Sequence, residues 1–175
     1  MKTPRLLLLS AVAFLLALAS CSKPATRDDK IKARNDAEFE QWVSARSEVI
    51  PDRERKELEE ARQQLRFKVM TARPGLMSDA FAEALYAEID GRTVDELIAS
   101  GYDLQIDRVQ VELKNYEPMV ARLEADAAKD YLNDDQKSAI SSNLRQLKEK
   151  IGQREAELKR LEARRAELGH RAATS

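Results

Sequence analysis

From Tyr102 onward, apolar residues recur at alternating steps of four and three: Ile106, Val109, Leu113, Tyr116, Val120, Leu123 and Ala127. A second such series runs through Ile140, Leu144, Leu147, Ile151, Leu158, Leu161 and Leu168. Only an α-helix brings residues so spaced onto one stripe, and the 3.5-residue period is that of a seam along which two helices pack, as in a coiled coil. Asn133-Asp134-Asp135 separates the two series and reads as a turn followed by a helix cap. A helix from 135 to 168 spans about 51 Å at a rise of about 1.5 Å per residue. Residues 103–135 carry nine acidic and four basic side chains, and residues 136–175 carry ten basic and five acidic, so net −5 faces net +5. Opposite charge and a short connection predict a long antiparallel, coiled-coil-like hairpin over 102–171. Pro118 falls on the outward side of its seam, where a kink and a break are both open. Arg154 and Arg165 occupy two seam positions; they would be costly in a dry symmetric dimer core, but can extend outward or pair with acids across a hairpin.

The half of the chain before the seams also has helical spacing, in shorter runs. Phe39, Trp42, Val43, Val49 and Ile50 form a first stripe, and Pro51 suits the first turn of a second helix bearing Leu58, Ala61, Leu65 and Val69. Arg73-Pro74-Gly75 breaks that helix. Ser78 is expected to cap a third, with Phe81, Ala84, Leu85 and Ile89 on one face and Asp90-Gly91 stopping it. Thr93 and Glu96 fit a capping box ahead of the buried pair Leu97 and Ile98, and Gly101 is expected to end that short helix. With 35% charged residues, 5% aromatics and only five glycines and five prolines, the composition belongs to an all-α chain with narrow apolar seams.

At the start, Lys2 and Arg5 precede an apolar run from Leu6 to Leu18 broken only by Ser10. That is the order of parts in an export signal, and the run is short of the roughly 20 residues a membrane-spanning helix needs. Leu18-Ala19-Ser20-Cys21 resembles the lipobox of bacterial lipoproteins: an aliphatic residue, two small residues, then cysteine. The resemblance implies cleavage between Ser20 and Cys21 and lipidation of the Cys21 thiol, so that residues 1–20 are a signal peptide and the membrane is a partner through Cys21. Ser22, where an aspartate would favour retention in the inner membrane, implies the periplasmic face of the outer membrane. Residues 21–35 show no apolar periodicity and read as the lipidated cysteine and a flexible tether. Cys21 is the only cysteine, which rules out an intramolecular disulfide or a cysteine-rich zinc site.

Residues 36–101 resemble a family of small bacterial lipoproteins, a domain of unknown function built around two pieces. One corresponds to Phe39 through Ala61, with Ile50-Pro51-Asp52-Arg53-Glu54-Arg55 ahead of a helix. The other corresponds to Asp90 through Ile98, close to a Gly-Lys-Thr-x-x-Glu-aliphatic-Ile pattern in which Arg92 replaces lysine. The resemblance implies a shape and an address and supplies no catalytic residue.

No catalytic, cofactor or metal site is expected. Gly91-Arg92-Thr93 lacks the glycine-rich frame of a phosphate loop, and a helix end followed by a helix cap accounts for it. The sole histidine, His170, is expected in a frayed C-terminal stretch before a disordered tail at 172–175. Asn133-Asp134-Asp135 lacks the spacing of a calcium loop. The basic clusters Lys159-Arg160, Arg164-Arg165 and His170-Arg171 sit among glutamates and apolar seam residues, which favours a helix partner over nucleic acid or anionic lipid headgroups. Phe39 and Trp42 read as core. The function expected is a non-enzymatic, lipid-anchored interaction or scaffold module of the cell envelope, with a protein partner or self-association through the hairpin and no small-molecule substrate. The alternative is a structural spacer or self-assembling coiled-coil lipoprotein. The murein-linked type of spacer ends in a lysine, where this sequence has Arg171-Ala172-Ala173-Thr174-Ser175.

Overall fold

The computed structural model describes residue 26 and residues 28–172, and every regular element among them is an α-helix. The elements are α1 (Asp36–Ser44), α2 (Asp52–Ala72), α3 (Ser78–Ile89), α4 (Val94–Ala127) and α5 (Asp134–Ala172). The signal segment, Ser20, Cys21 and residues 173–175 lie outside the described residues.

Local chemistry sets most of the helix starts. Asn35 caps α1 by accepting the Glu38 N–H at 2.9 Å. Thr93 and Glu96 form the capping box of α4, with the Glu96 carboxylate accepting the Thr93 N–H at 2.8 Å and the Thr93 hydroxyl accepting the Glu96 N–H at 3.3 Å. Asn133 and Gln136 do the same ahead of α5, at 2.8 and 3.0 Å. Each pair satisfies two amides that a helix start leaves without partners. Ser78 is not a cap: it is the first residue of α3, and Met77, in extended conformation, holds the cap position without a side-chain acceptor.

Gly101 does not end a helix either. It lies within α4, which runs unbroken for 34 residues, because here the missing Cβ serves packing rather than termination. A Cβ at Gly101 would stand 2.5 Å from the Ala61 Cβ and 2.6 Å from the Ala61 Cα, so the backbones of α2 and α4 cross at a distance that only glycine permits. Pro118 is also inside α4, and the helix passes through it. The proline lacks only the hydrogen bond to the Lys114 carbonyl, and it is exposed, where water can take that place.

One apolar cluster gathers Ile31, Phe39, Trp42, Ile50, Leu58, Leu65, Leu85, Ile89, Leu97, Ile98 and Leu168. Two expectations change with it. The boundary set at 101/102 is crossed by α4, and Leu168, near the end of α5, belongs to the same core as Ile31 and Trp42. Residues 29–34, read as tether, are a docked strap. Ile31 and Ala33 are fully buried. The Ile31 N–H donates to the Arg92 carbonyl at 2.7 Å, the Gly91 N–H donates to the Ile31 carbonyl at 2.9 Å, and the Ala33 N–H donates to the Asp90 carboxylate at 3.2 Å. The signal was present as alternation, apolar at 31 and 33 and basic at 30, 32 and 34, the period of an extended chain with one face buried. Val49, by contrast, is 38% exposed, since α1 stops at Ser44 and the following turns take it off the helical stripe.

α4 packs on α2 and on α5. Three ion pairs join α4 to α5: Asp103 with Arg165 at 2.7 Å, Glu112 with Arg154 at 3.0 Å and Glu124 with Lys148 at 3.0 Å. Val109, Leu147 and Leu161 are buried, but Leu113, Tyr116, Val120, Leu123, Ile140, Leu144 and Ile151 are half-buried. Two helices alone cannot cover each other on every side, so water reaches the edges of such a seam.

Candidate functional site

The most densely built polar region is where the end of α5 meets the first turns of α2. Glu57 and Arg164, 107 residues apart in sequence, form a two-pronged pair, Nε to Oε1 at 3.1 Å and Nη2 to Oε2 at 2.7 Å. Their side chains are 8% and 7% exposed. Arg53, at 3.0 Å, and the Tyr102 hydroxyl, at 3.3 Å, both donate to Glu57 Oε1, while Arg164 also donates to Glu167 at 2.7 Å. One helical turn away, Arg171 donates to the buried carboxylate of Glu54 at 2.9 Å. Burial alone would raise the Glu57 pKa, but the hydrogen bonds and charges of Arg164 and Arg53 outweigh it and hold the carboxyl below its ordinary value. Hydrogen bonding to Glu57 raises Arg164 in turn.

A second cluster fastens α1 to α2 and α3. Asp36 accepts from the Tyr86 hydroxyl at 2.5 Å, from Arg62 at 2.7 Å and from Arg66 at 2.9 Å. Arg62 is buried, also bonds Glu59 at 2.8 Å, and lies over the Phe39 ring, 5.1 Å from its centroid. Burial and the hydrogen bond to Asp36 push the Tyr86 phenol up to about 12, and the Tyr86 hydrogen bond leads in lowering the Asp36 carboxyl.

Asp36 and Glu57 are each engaged by arginine, and both carboxyls are held below their ordinary value. General acid or base catalysis needs a group poised to exchange its proton near the working pH, and these are shifted away from that condition. Their chemistry is that of a clamp: a fork-shaped guanidinium on a carboxylate fixes both distance and angle between two helices. The sequence marks Arg164 only as part of a basic cluster on a partner-facing helix, and nothing in it singles out Arg62 or Glu57. The signal for Arg164 was its place between Leu161 and Leu168, at helical spacing on the core side of α5.

The residues singled out in the sequence fall elsewhere. Arg154 and Arg165 sit on the seam, partly exposed, and pair with Glu112 and Asp103 on α4. Phe39 and Trp42 are core, with Arg46 stacked 4.1 Å from the Trp42 ring centroid. Gly91, at φ 79, ends the turn after α3, and the Arg92 guanidinium bonds the Ser100 hydroxyl and reaches Glu88 at 3.5 Å. His170 is not in a frayed end but in the last turn of α5. Among the described residues, no group of three or more His, Cys, Asp or Glu is arranged to hold a metal, and no helix is long and apolar enough to cross a membrane. Compared with protein-family models, curated proteins and solved structures, the chain matches none.

Proposed function

We propose that the chain is a lipid-anchored protein of the cell envelope, held through Cys21 at the periplasmic face of the outer membrane, and that it works as a non-enzymatic interaction or scaffold module. The working part in this reading is the pair α4 and α5, forming an antiparallel coiled-coil-like hairpin. The order of the ion pairs supports that arrangement: as the acidic partner advances through 103, 112 and 124, the basic partner retreats through 165, 154 and 148. Spin labels at 124 and 148 should then lie close together, and labels at 124 and 165 roughly 25 Å farther apart, given about 1.5 Å per residue.

The observation that carries the functional reading is the apolar surface left on the seam-bearing helices. Val111 and Met119 on α4 are 59% and 51% exposed, and Met119 joins Leu123 and Leu147 in a surface cleft shared by α4 and α5. Val111 and Met119 are eight residues and about 80° apart around α4, on a flank turned away from the buried line of the seam, and exposed large apolar side chains so placed suit a partner helix. Crosslinking in the native envelope should capture a discrete partner with the natural chain and lose it with V111E/M119E. Equal capture by both chains would count decisively against the reading. The lipobox and the likeness of residues 36–101 to a lipoprotein domain support the address. Self-assembly is the second reading, favoured by the same exposed Met119 and disfavoured by Arg154 and Arg165, whose partners lie within one chain. The solution mass of residues 22–175 separates them: a monomer fits an arm awaiting another protein, a stable trimer fits assembly.

A further inference from the structure

Lipidation at Cys21, together with where the fold begins, bears on which face meets the membrane. Asp29 is already tied to the body of the protein: it pairs with Arg46 at 3.1 Å and accepts from Thr26 at 2.8 and 3.0 Å. Eight residues separate Cys21 from Asp29, which at about 3.5 Å per residue allows at most about 28 Å, against about 50 Å had the tether run to residue 35. A lead of that length keeps the start of the strap within about 28 Å of a bilayer that holds a lipid on Cys21. The strap that begins at Asp29 turns Ile31 and Ala33 inward, so Lys30, Lys32 and Arg34 project outward and are exposed. Arg34 pairs with Glu38, whereas Lys30 and Lys32 make no ion pair among the described residues. Residues 22–34 carry five basic side chains, Lys23, Arg27, Lys30, Lys32 and Arg34, against Asp28 and Asp29, net +3. Residues 35–175 carry net −6, so positive charge is concentrated beside the anchor in a chain that is otherwise acidic.

We propose that the strap's outward ridge, centred on Lys30 and Lys32, docks on the anionic phosphate headgroups of the leaflet that holds the Cys21 lipid, a second membrane contact that fixes the orientation of the folded body. The proposal rests on the lipoprotein reading. One acyl-type anchor and a basic patch act together because the anchor confines the lysines to within about 30 Å of the charged surface, which raises their effective concentration there, and contact then brings them inside the screening length. Asp28 and Asp90 are the opposing charges nearby; Asp90 accepts the Ala33 N–H.

The test uses residues 21–175, which retain the whole described core, with a single-chain lipid coupled to the Cys21 thiol, and phosphatidylcholine vesicles with or without one third phosphatidylglycerol, alongside fatty-acid labelling of the full chain in cells. The natural sequence should bind the anionic vesicles far more tightly than the neutral ones, and high salt should remove the difference. K30Q/K32Q should weaken binding about 30-fold, with an unchanged circular dichroism spectrum, whereas the exposed pair K114Q/K159Q should leave it unchanged. Labelling of Cys21 together with equal binding to both vesicle types, no binding at all, or no effect of K30Q/K32Q overturns the ridge and leaves the anchor standing. An unlabelled chain overturns the anchor and the ridge with it.

Discussion

Gly101 and Gly152 both lie well inside long helices of this protein, and the same substitution at each should move stability in opposite directions. At Gly152, in α5, an added Cβ meets nothing within 4 Å. Gly152→Ala therefore gains what alanine gains over glycine in a helix, about 1 kcal/mol. At Gly101 the same gain is available, but the new Cβ would stand 2.5 Å from one Ala61 carbon and 2.6 Å from another, the second being backbone. Carbon atoms in contact sit at about 3.5–4.0 Å, so α2 and α4 must separate by roughly 1 Å or more. That shift loosens Leu58, Leu65, Leu97 and Ile98, all buried at this crossing. Overpacking of this kind costs about 1–3 kcal/mol, and because backbone rather than a side-chain tip must yield, the upper end applies. Net of the helix gain, Gly101→Ala should destabilise by about 2 kcal/mol, which in a domain of this size lowers Tm by about 4–8 °C. Adding Ala61→Gly should restore only part of the loss, because the Ala61 Cα remains. Thermal and urea unfolding of residues 22–175, followed by circular dichroism, measures all three. If Gly101→Ala matched Gly152→Ala in sign, α2 and α4 would not cross where Gly101 and Ala61 place them.

The buried pair gives a second contrast: Glu57→Ala, which leaves Arg164 buried without its main partner, should cost about 3–5 kcal/mol, while Glu57→Leu with Arg164→Met should come close to the natural stability in urea titrations. Since the folded Glu57 pKa is depressed, its contribution is fully present above the ordinary carboxylate value and is lost as pH falls through the folded pKa, so acid unfolding should begin at higher pH when Arg164 is replaced. Tyr86 works with the opposite sign. Its raised pKa contributes stability that is complete below pH 10 and disappears as pH climbs toward 12, a loss that tyrosinate absorbance and unfolding curves should both report and that Tyr86→Phe should abolish. Cys21→Ala should eliminate fatty-acid labelling while the helical circular dichroism signal persists; surviving label would place the anchor elsewhere.

The parts of this molecule that the sequence makes plain are those governed by local rules. The Thr93 and Glu96 box, the stripe Leu58, Ala61, Leu65 and Val69, and the turn at Asn133 are each decided within a few residues, and each is found where spacing puts it. What is hidden depends on a partner far along the chain. Gly101 has the same sequence context whether it ends a helix or admits another one, and only the position of Ala61, forty residues earlier, decides between them. Arg164 and Arg165 are adjacent and chemically identical, yet one is sealed against Glu57 and the other lies at the edge with Asp103, because a step of one residue rotates a helix by about 100°. The strap misled for a different reason. Two buried residues are too few for periodicity to register against Lys30, Lys32 and Arg34, although Ile31 is as buried as any residue of the core.

α5 belongs at once to both parts of the molecule. Its first half lines the seam with α4, through Ile140, Leu144 and Leu147, and its last turns deliver Leu168 to the core and Arg164 and Arg171 to the acids of α2. Removing residues 136–175 would therefore strip away the seam, take Arg164 from Glu57 and Arg171 from Glu54, and open the core at Leu168, a change large enough to unfold the remainder. Loss of a partner on such a deletion would report collapse rather than contact. Val111 and Met119 avoid the ambiguity, since both are exposed and lie on α4 beyond the Gly101 crossing. An effect of V111E/M119E on partner capture, in a chain whose unfolding midpoint has not moved, isolates the surface from the scaffold that holds it.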